Sequence, residues 1–226
     1  RSEKLGMFTG LVVGVLLLLI SVFMIFQTTC KVWGAEKPAN ATQQGIDVSS
    51  HQGKIDWEQV KNSALADYAI IRCGYGVNQT DKDDKYWDYN SSECERLGIP
   101  YGTYLYSGAD TTAKAKSEAE HVVRLLQGKN LTYPIYYDME ADMLNQLSST
   151  QIGNIAKTFL NTMESYGYKN VAVYSNKYLF ETKLTASVFS DYPKWIAQHS
   201  NKCTYQGSYH MWQYSTQGVI DRKSVV

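Results

Sequence analysis

The segment Tyr133-Pro134-Ile135-Tyr136-Tyr137-Asp138-Met139-Glu140 is apolar and aromatic until its end, where two carboxyls stand with one residue between them. Side chains alternate across a strand, so Tyr136, Asp138 and Glu140 share one face and Ile135, Tyr137 and Met139 the other. The two acids then lie about 6.6 Å apart along the strand, close enough for each charge to make the other costlier to ionise. Such a pair suits chemistry in which one carboxylic acid stays protonated near neutral pH and the other does not. Glycoside hydrolysis is the leading case, because a general acid must protonate the leaving oxygen while a second group meets the positive anomeric carbon. Asp47, in Gly45-Ile46-Asp47-Val48, is a third acid of the same kind. On spacing alone two other readings stay open: Asp47, Asp138 and Glu140 as oxygen ligands of a divalent metal, or as solvated strand ends.

Other chemistries find less support. His51, His121, His199 and His210 have no serine or cysteine partner in a triad-like arrangement. Gly74 and Gly76 punctuate a strand end and form no phosphate loop. Cys73, Cys94 and Cys203 lack the spacing of a zinc site, and Cys73 with Cys94 is a candidate disulfide that spacing cannot establish. No cofactor is implied. Basic and acidic residues balance at 22 each, and residues 1–39 carry an excess of base, so the rest of the chain offers no nucleic-acid footprint. The 18 Tyr and 5 Trp supply rings suited to sugar stacking or to filling a strand-rich core.

The elements that must position these acids follow from periodicity. Strands are expected at 45–50, 68–73, 99–107, 133–140 and 170–176. Helices are expected from Asp56 to Leu65, Tyr86 to Leu97, Thr111 to Gln127, Ser148 to Tyr166, and briefly from Lys177 to Thr182. Strand-like segments 194–198, 209–214 and 218–221 then follow with no room for full helices between them. This order predicts an α/β fold, a modified TIM-like barrel of eight parallel strands with five βα units followed by three strands. In such barrels chemistry gathers at the C-terminal strand ends. Those ends carry Asp47, Arg72, Tyr106, Asp138 with Glu140, Tyr174, Gln198, Gln213 with Tyr214, and Asp221. Arg72, Tyr106, Tyr174, Gln198, Trp212 and Gln213 are the candidate substrate contacts; for Arg72 neutralisation of nearby carboxylates is the alternative, and for Trp212 core packing.

Met7 to Phe26 is a run of 20 residues without a charge, long enough as a helix to cross a bilayer. Arg1 and Lys4 precede it, which places the N-terminus in the cytoplasm and the rest outside. The expected organisation is a stub and anchor over 1–30, a linker over 31–44 and one domain over 45–226, a monomer, with a secreted form if the N-terminal segment is cleaved.

Seven segments in order, Gly45-Ile46-Asp47-Val48-Ser49-Ser50-His51-Gln52-Gly53, Ala69-Ile70-Ile71-Arg72-Cys73-Gly74-Tyr75-Gly76, Tyr101-Gly102-Thr103-Tyr104, Tyr137-Asp138-Met139-Glu140, Val173-Tyr174-Ser175-Asn176, Trp195-Ile196-Ala197 and Trp212-Gln213-Tyr214, resemble the strand motifs of the glycoside hydrolase family 25 lysozymes. These are N-acetylmuramidases of the Chalaropsis type, and the resemblance covers about residues 45–218. It implies hydrolysis of peptidoglycan glycan strands at a bacterial surface. By the same resemblance Glu140 is the general acid, Asp138 orients the substrate's acetamido group or stabilises charge, Asp47 supports from the first strand, and Asp221 matches the last-strand acid. A non-catalytic peptidoglycan-binding module on the same barrel is the alternative.

Overall fold

The computed structural model describes residues 40–220, together with Pro38 and Lys223–Ser224. The chain divides into two units, Arg1–Gly34 and Ala35–Val226, and the described residues all belong to the second. The expected anchor at 7–26 and Asp221 lie outside the described residues. Among those that are described, no helix is long and apolar enough to cross a membrane.

Seven strands form one sheet in chain order, every neighbouring pair parallel: β1 Gly45–Val48, β2 Tyr68–Tyr75, β3 Tyr101–Tyr106, β4 Ile135–Asp138, β5 Val171–Asn176, β6 Lys194–Ala197 and β7 Met211–Gln213. Between them run α1 Trp57–Ser63, α2 Trp87–Leu97, α3 Thr112–Leu125, α4 Ser149–Ser165 and two short helices, α5 Lys177–Thr182 and α6 Val188–Asp191. Four of the helix starts are set by side-chain caps, which replace missing backbone acceptors. Asp56 accepts from Gln59 N, Thr111 from Lys114 N, Ser148 from Gln151 N and Asn176 from Leu179 N. Gly98 ends α2 in the left-handed region at φ 64, where a side chain would be strained.

The eighth barrel strand is where expectation and structure part. Val219–Ile220 (β8) is a strand, but it pairs antiparallel with Lys223–Ser224 (β9) in a separate two-stranded sheet. The reason is connection length: a parallel neighbour needs a return path of a dozen or so residues. Residues 198–210 provide that between β6 and β7, whereas 214–218 are too few to bring β8 back. The sheet is a curled half-barrel of seven strands. Its first and last strands are linked by side chains, with Gln213 Nε2 donating to Asp47 Oδ2 at 3.0 Å and Gln44 Nε2 to Tyr214 Oη at 2.9 Å.

Alternation sorts the strand residues into two cores. Toward the helices point Ile46, Val48, Ile71, Cys73, Leu105, Ile135, Tyr137, Met139, Val173 and Ile196, which pack with Trp57, Trp87, Val122, Phe159 and Leu160. Inside the curl a smaller cluster of Ile70, Tyr136, Ala172, Tyr174, Trp195 and Ala197 is flanked by Tyr68, Tyr104, Tyr133 and Met211. Cys73 and Cys94 are both buried free thiols, so the candidate disulfide is absent. Cys73 Sγ instead donates to Tyr104 O at 3.3 Å.

Candidate active site

β4 places Asp138 on the inner face, in register with Tyr106 of β3 and Tyr174 of β5. The backbone beyond it is held on both sides: Ser107 N donates to Asp138 O at 2.9 Å, Met139 N to Tyr174 O at 2.9 Å, and Ser175 Oγ to Met139 O at 2.6 Å. Glu140 is therefore fixed at its Cα just past the strand end, half-buried, while Asp138 is 3% exposed. Asp138 Oδ1 is buried with no hydrogen-bond partner, an expensive state for a carboxylate and a cheaper one for the neutral acid.

The three acids influence one another. Burial pushes the Asp138 carboxyl well above its ordinary range, and the charges of Glu140 and Asp47 add to this while Arg72 opposes it. Glu140 is raised too, by burial, against the charge of His199. Asp47 is pushed up to about 6, burial outweighing the Gln213 hydrogen bond and His199. The pull toward the protonated form is thus stronger at Asp138 than the sequence suggests. Arg72, whose expected alternative role was to neutralise nearby carboxylates, has its guanidinium bonded elsewhere. Its Nε donates to Asp84 Oδ2 at 2.8 Å and its Nη2 to Ser50 Oγ at 2.9 Å. Buried Asp84 also accepts from Ser50 N and Tyr86 N, so Arg72 braces the turn after β1 that carries Asp47.

Of the other candidates, Tyr106, Tyr174 and Gln213 come to this cluster. Tyr106 is half-buried, and its hydroxyl is held protonated first by burial and then by the charges of Asp138 and Glu140. Tyr174 Oη donates to Gln213 Oε1 at 2.9 Å. Gln198 and Trp212 do not come. Gln198 spends its amide on its own loop, donating to Thr204 Oγ1 and Lys202 O and accepting from Thr204 N. Trp212 lies between Met211 and Gln213, whose side chains turn inward, and its Nε1 donates to Gln198 O at 2.9 Å. Alternation accounts for both cases: Trp195 and Ala197 point inward, so Gln198 cannot and residue 199 can.

That residue, His199, is one the spacing argument passed over. Its Nε2 meets Gln213 Oε1 at 2.9 Å, and its charge acts on both Asp47 and Glu140. Tyr104, inward-facing on β3 and sensing Asp47 and Asp138, is another. Among the described residues no group of three or more His, Cys, Asp or Glu side chains is arranged to hold a metal ion.

The sequence profile of glycosyl hydrolases family 25 matches residues 46–222, the span that carries these carboxyls and the sheet beneath them. The chain belongs to glycosyl hydrolase family 25. Among its relatives, the autolytic lysozyme of Clostridium acetobutylicum is 28% identical over 179 residues, 79% of this chain and 52% of that protein. The modular autolysin LytC of Streptococcus pneumoniae superposes with a TM-score of 0.72 at 33% identity over 79% of this chain and 44% of LytC. LytC has also been solved in complex with a synthetic peptidoglycan ligand. A family 25 glycosyl hydrolase of Bacillus anthracis shares the fold, with a TM-score of 0.72 at 20% identity over 84% of this chain and 87% of that one. This chain therefore spans about half the length of the clostridial enzyme and less of LytC.

Proposed function

We propose that this family 25 domain is a lysozyme, a β-1,4-N-acetylmuramidase that hydrolyses the MurNAc–GlcNAc bond of bacterial peptidoglycan. The observation that carries the reading is buried Asp138, with one oxygen unpartnered, beside half-buried Glu140 at the open end of the sheet. A substrate acetamido N–H supplies the partner that Asp138 Oδ1 lacks. Hydrogen bonding to the charged form favours it, so Asp138 ionises as substrate enters and its charge pushes the proton onto Glu140. Glu140 then protonates the leaving glycosidic oxygen as that bond breaks. The acetamido oxygen, polarised by ionised Asp138, bonds to the anomeric carbon in place of an enzyme nucleophile. Water, giving its proton to the Glu140 carboxylate, opens that intermediate and restores the acid. Asp47 supplies supporting negative charge, and Tyr106 and Tyr174 wall the sugar.

The lysozyme and autolysin relatives support this reading, and so does the peptidoglycan ligand of LytC. A glycan-binding module without turnover is the rival on the same scaffold. Reducing-end analysis of digested cell walls separates them: new muramic acid ends support the proposal, new glucosamine ends mean a different bond, and no new ends mean binding alone. The uncharged stretch 7–26 supports a further part of the proposal, that the domain is held at the outer face of a bacterial membrane. Full-length chain recovered in the soluble fraction without detergent speaks against it.

A further inference from the structure

Gln213 is the only side chain among the described residues that ties the last strand of the sheet to Asp47 on the first, and its amide has two ends. The oxygen accepts from Tyr174 Oη at 2.9 Å and meets His199 Nε2 at 2.9 Å; the nitrogen donates to Asp47 Oδ2 at 3.0 Å. These contacts are mutually consistent only in one orientation while Asp47 is ionised. Turned over, the amide would set its oxygen against a carboxylate oxygen, two acceptors face to face. Tyr174 cannot hold the amide alone, because a hydroxyl both donates and accepts and tolerates either end. A ring nitrogen that carries hydrogen does not. His199 sits at the exposed side of the cluster, facing Asp47 of β1, Glu140 beyond β4, Tyr174 of β5 and Gln213 of β7; of these, the two acids carry charge.

We propose that His199 is a positioning residue for the reaction: by donating from Nε2 it fixes the Gln213 amide with its NH2 toward Asp47. A protonated ring in the same place also sets a positive charge near the acids. The proposal deepens the muramidase reading and rests on it for its catalytic part alone. Two effects follow, one from the hydrogen bond and one from the charge, and they separate by substitution. His199→Ala removes both. His199→Gln keeps a nitrogen donor at about the reach of the imidazole Nε2 and removes the charge.

The test pairs a readout of Asp47 itself with turnover on purified cell walls. In carboxyl-carbon NMR the Asp47 titration midpoint moves upward in both variants, because the opposing positive charge is gone. In His199→Ala kcat falls roughly tenfold with little change in KM, the scale of one lost hydrogen bond to a positioned group. In His199→Gln kcat recovers most of that loss while the acidic limb of the pH profile stays displaced upward. The losses of His199→Ala and Gln213→Leu overlap in the double variant, since both break one relay. An Asp47 midpoint that His199→Ala leaves in place, or losses that multiply in the double variant, overturns the proposal. If wild-type protein releases no muramic acid ends, the muramidase reading fails, and the Asp47 titration still decides the role of His199.

Discussion

Two buried carboxyls stand on opposite sides of the sheet, and they differ in how far the protein satisfies them. Glu118 of α3 is wholly buried among the outer layer and receives three donors: Tyr137 Oη at 2.6 Å, Ser107 Oγ at 2.9 Å and Gly108 N at 2.7 Å. Asp138 is as deeply placed on the inner side, yet one of its oxygens has no partner. Burial raises the pKa of both, so a raised value alone does not mark the catalytic group. Satisfaction does. Glu118 is used up in holding the β3–α3 turn, whose Ser107 N in turn holds Asp138 O. Asp138 Oδ1 is left open for the acetamido N–H of the proposed substrate.

The largest effect is expected at Glu140, the proposed proton donor. Glu140→Gln should lower peptidoglycan cleavage by several orders of magnitude while glycan binding and thermal stability persist. An activated aryl glycoside, if turned over, should lose less, since its leaving group needs little protonation. Near-normal wall digestion by this variant with its pH limbs intact moves the proton donor elsewhere.

Next comes the outer acid, where the expected damage is to the fold. Glu118→Ala removes the acceptor of the Tyr137 and Gly108 donors, while Ser107 Oγ and Tyr137 Oη still meet at 2.9 Å, a loss of roughly 2 kcal/mol. Chemical denaturation should show it as a lowered midpoint, and the folded fraction should retain most of its turnover. Equal stability to wild type removes Glu118 as the anchor of the turn.

The inner acids should show themselves in turnover and in the pH dependence of stability. Asp47, Asp138 and Glu140 bind protons more tightly folded than unfolded, so their contribution favours the fold at low pH and is lost as pH rises through the folded values. For Asp47 that window runs from 3.8 to about 6. Asp47→Asn should therefore cost roughly 10- to 1,000-fold in turnover while flattening the pH dependence of stability across that window. Melting curves between pH 4 and pH 7 measure the second effect, and an unchanged slope contradicts the burial of this carboxyl.

The smallest effects belong to the residues that the strand ends offered and the site did not take. Gln198→Ala and Trp212→Phe should each change kcat/KM by about threefold or less, because their polar atoms serve the 198–204 loop and not the mouth. A tenfold rise in KM for either places it back on the glycan.

Much of this was readable from the chain, and the misses have physical causes. Alternation placed Tyr136, Asp138 and Glu140 on the opposite face from Ile135, Tyr137 and Met139, and the caps at Asp56, Thr111 and Ser148 stand where helix starts were expected. The same alternation, carried through Trp195 and Ala197, leads inward to His199 and turns Gln198 toward its own loop. Arg72 on the inner face was legible, its partner was not, because Asp84 reaches it from a loop. What the sequence by itself determined is local: which segments are strands, which face each side chain takes, and that a carboxyl pair ends the fourth strand. Only the tertiary structure decided which strand ends meet. Gln213 and Asp47 are 166 residues apart and touch because the sheet curls, a path set by the summed twist of seven strands and the length of each return connection, which no local pattern encodes.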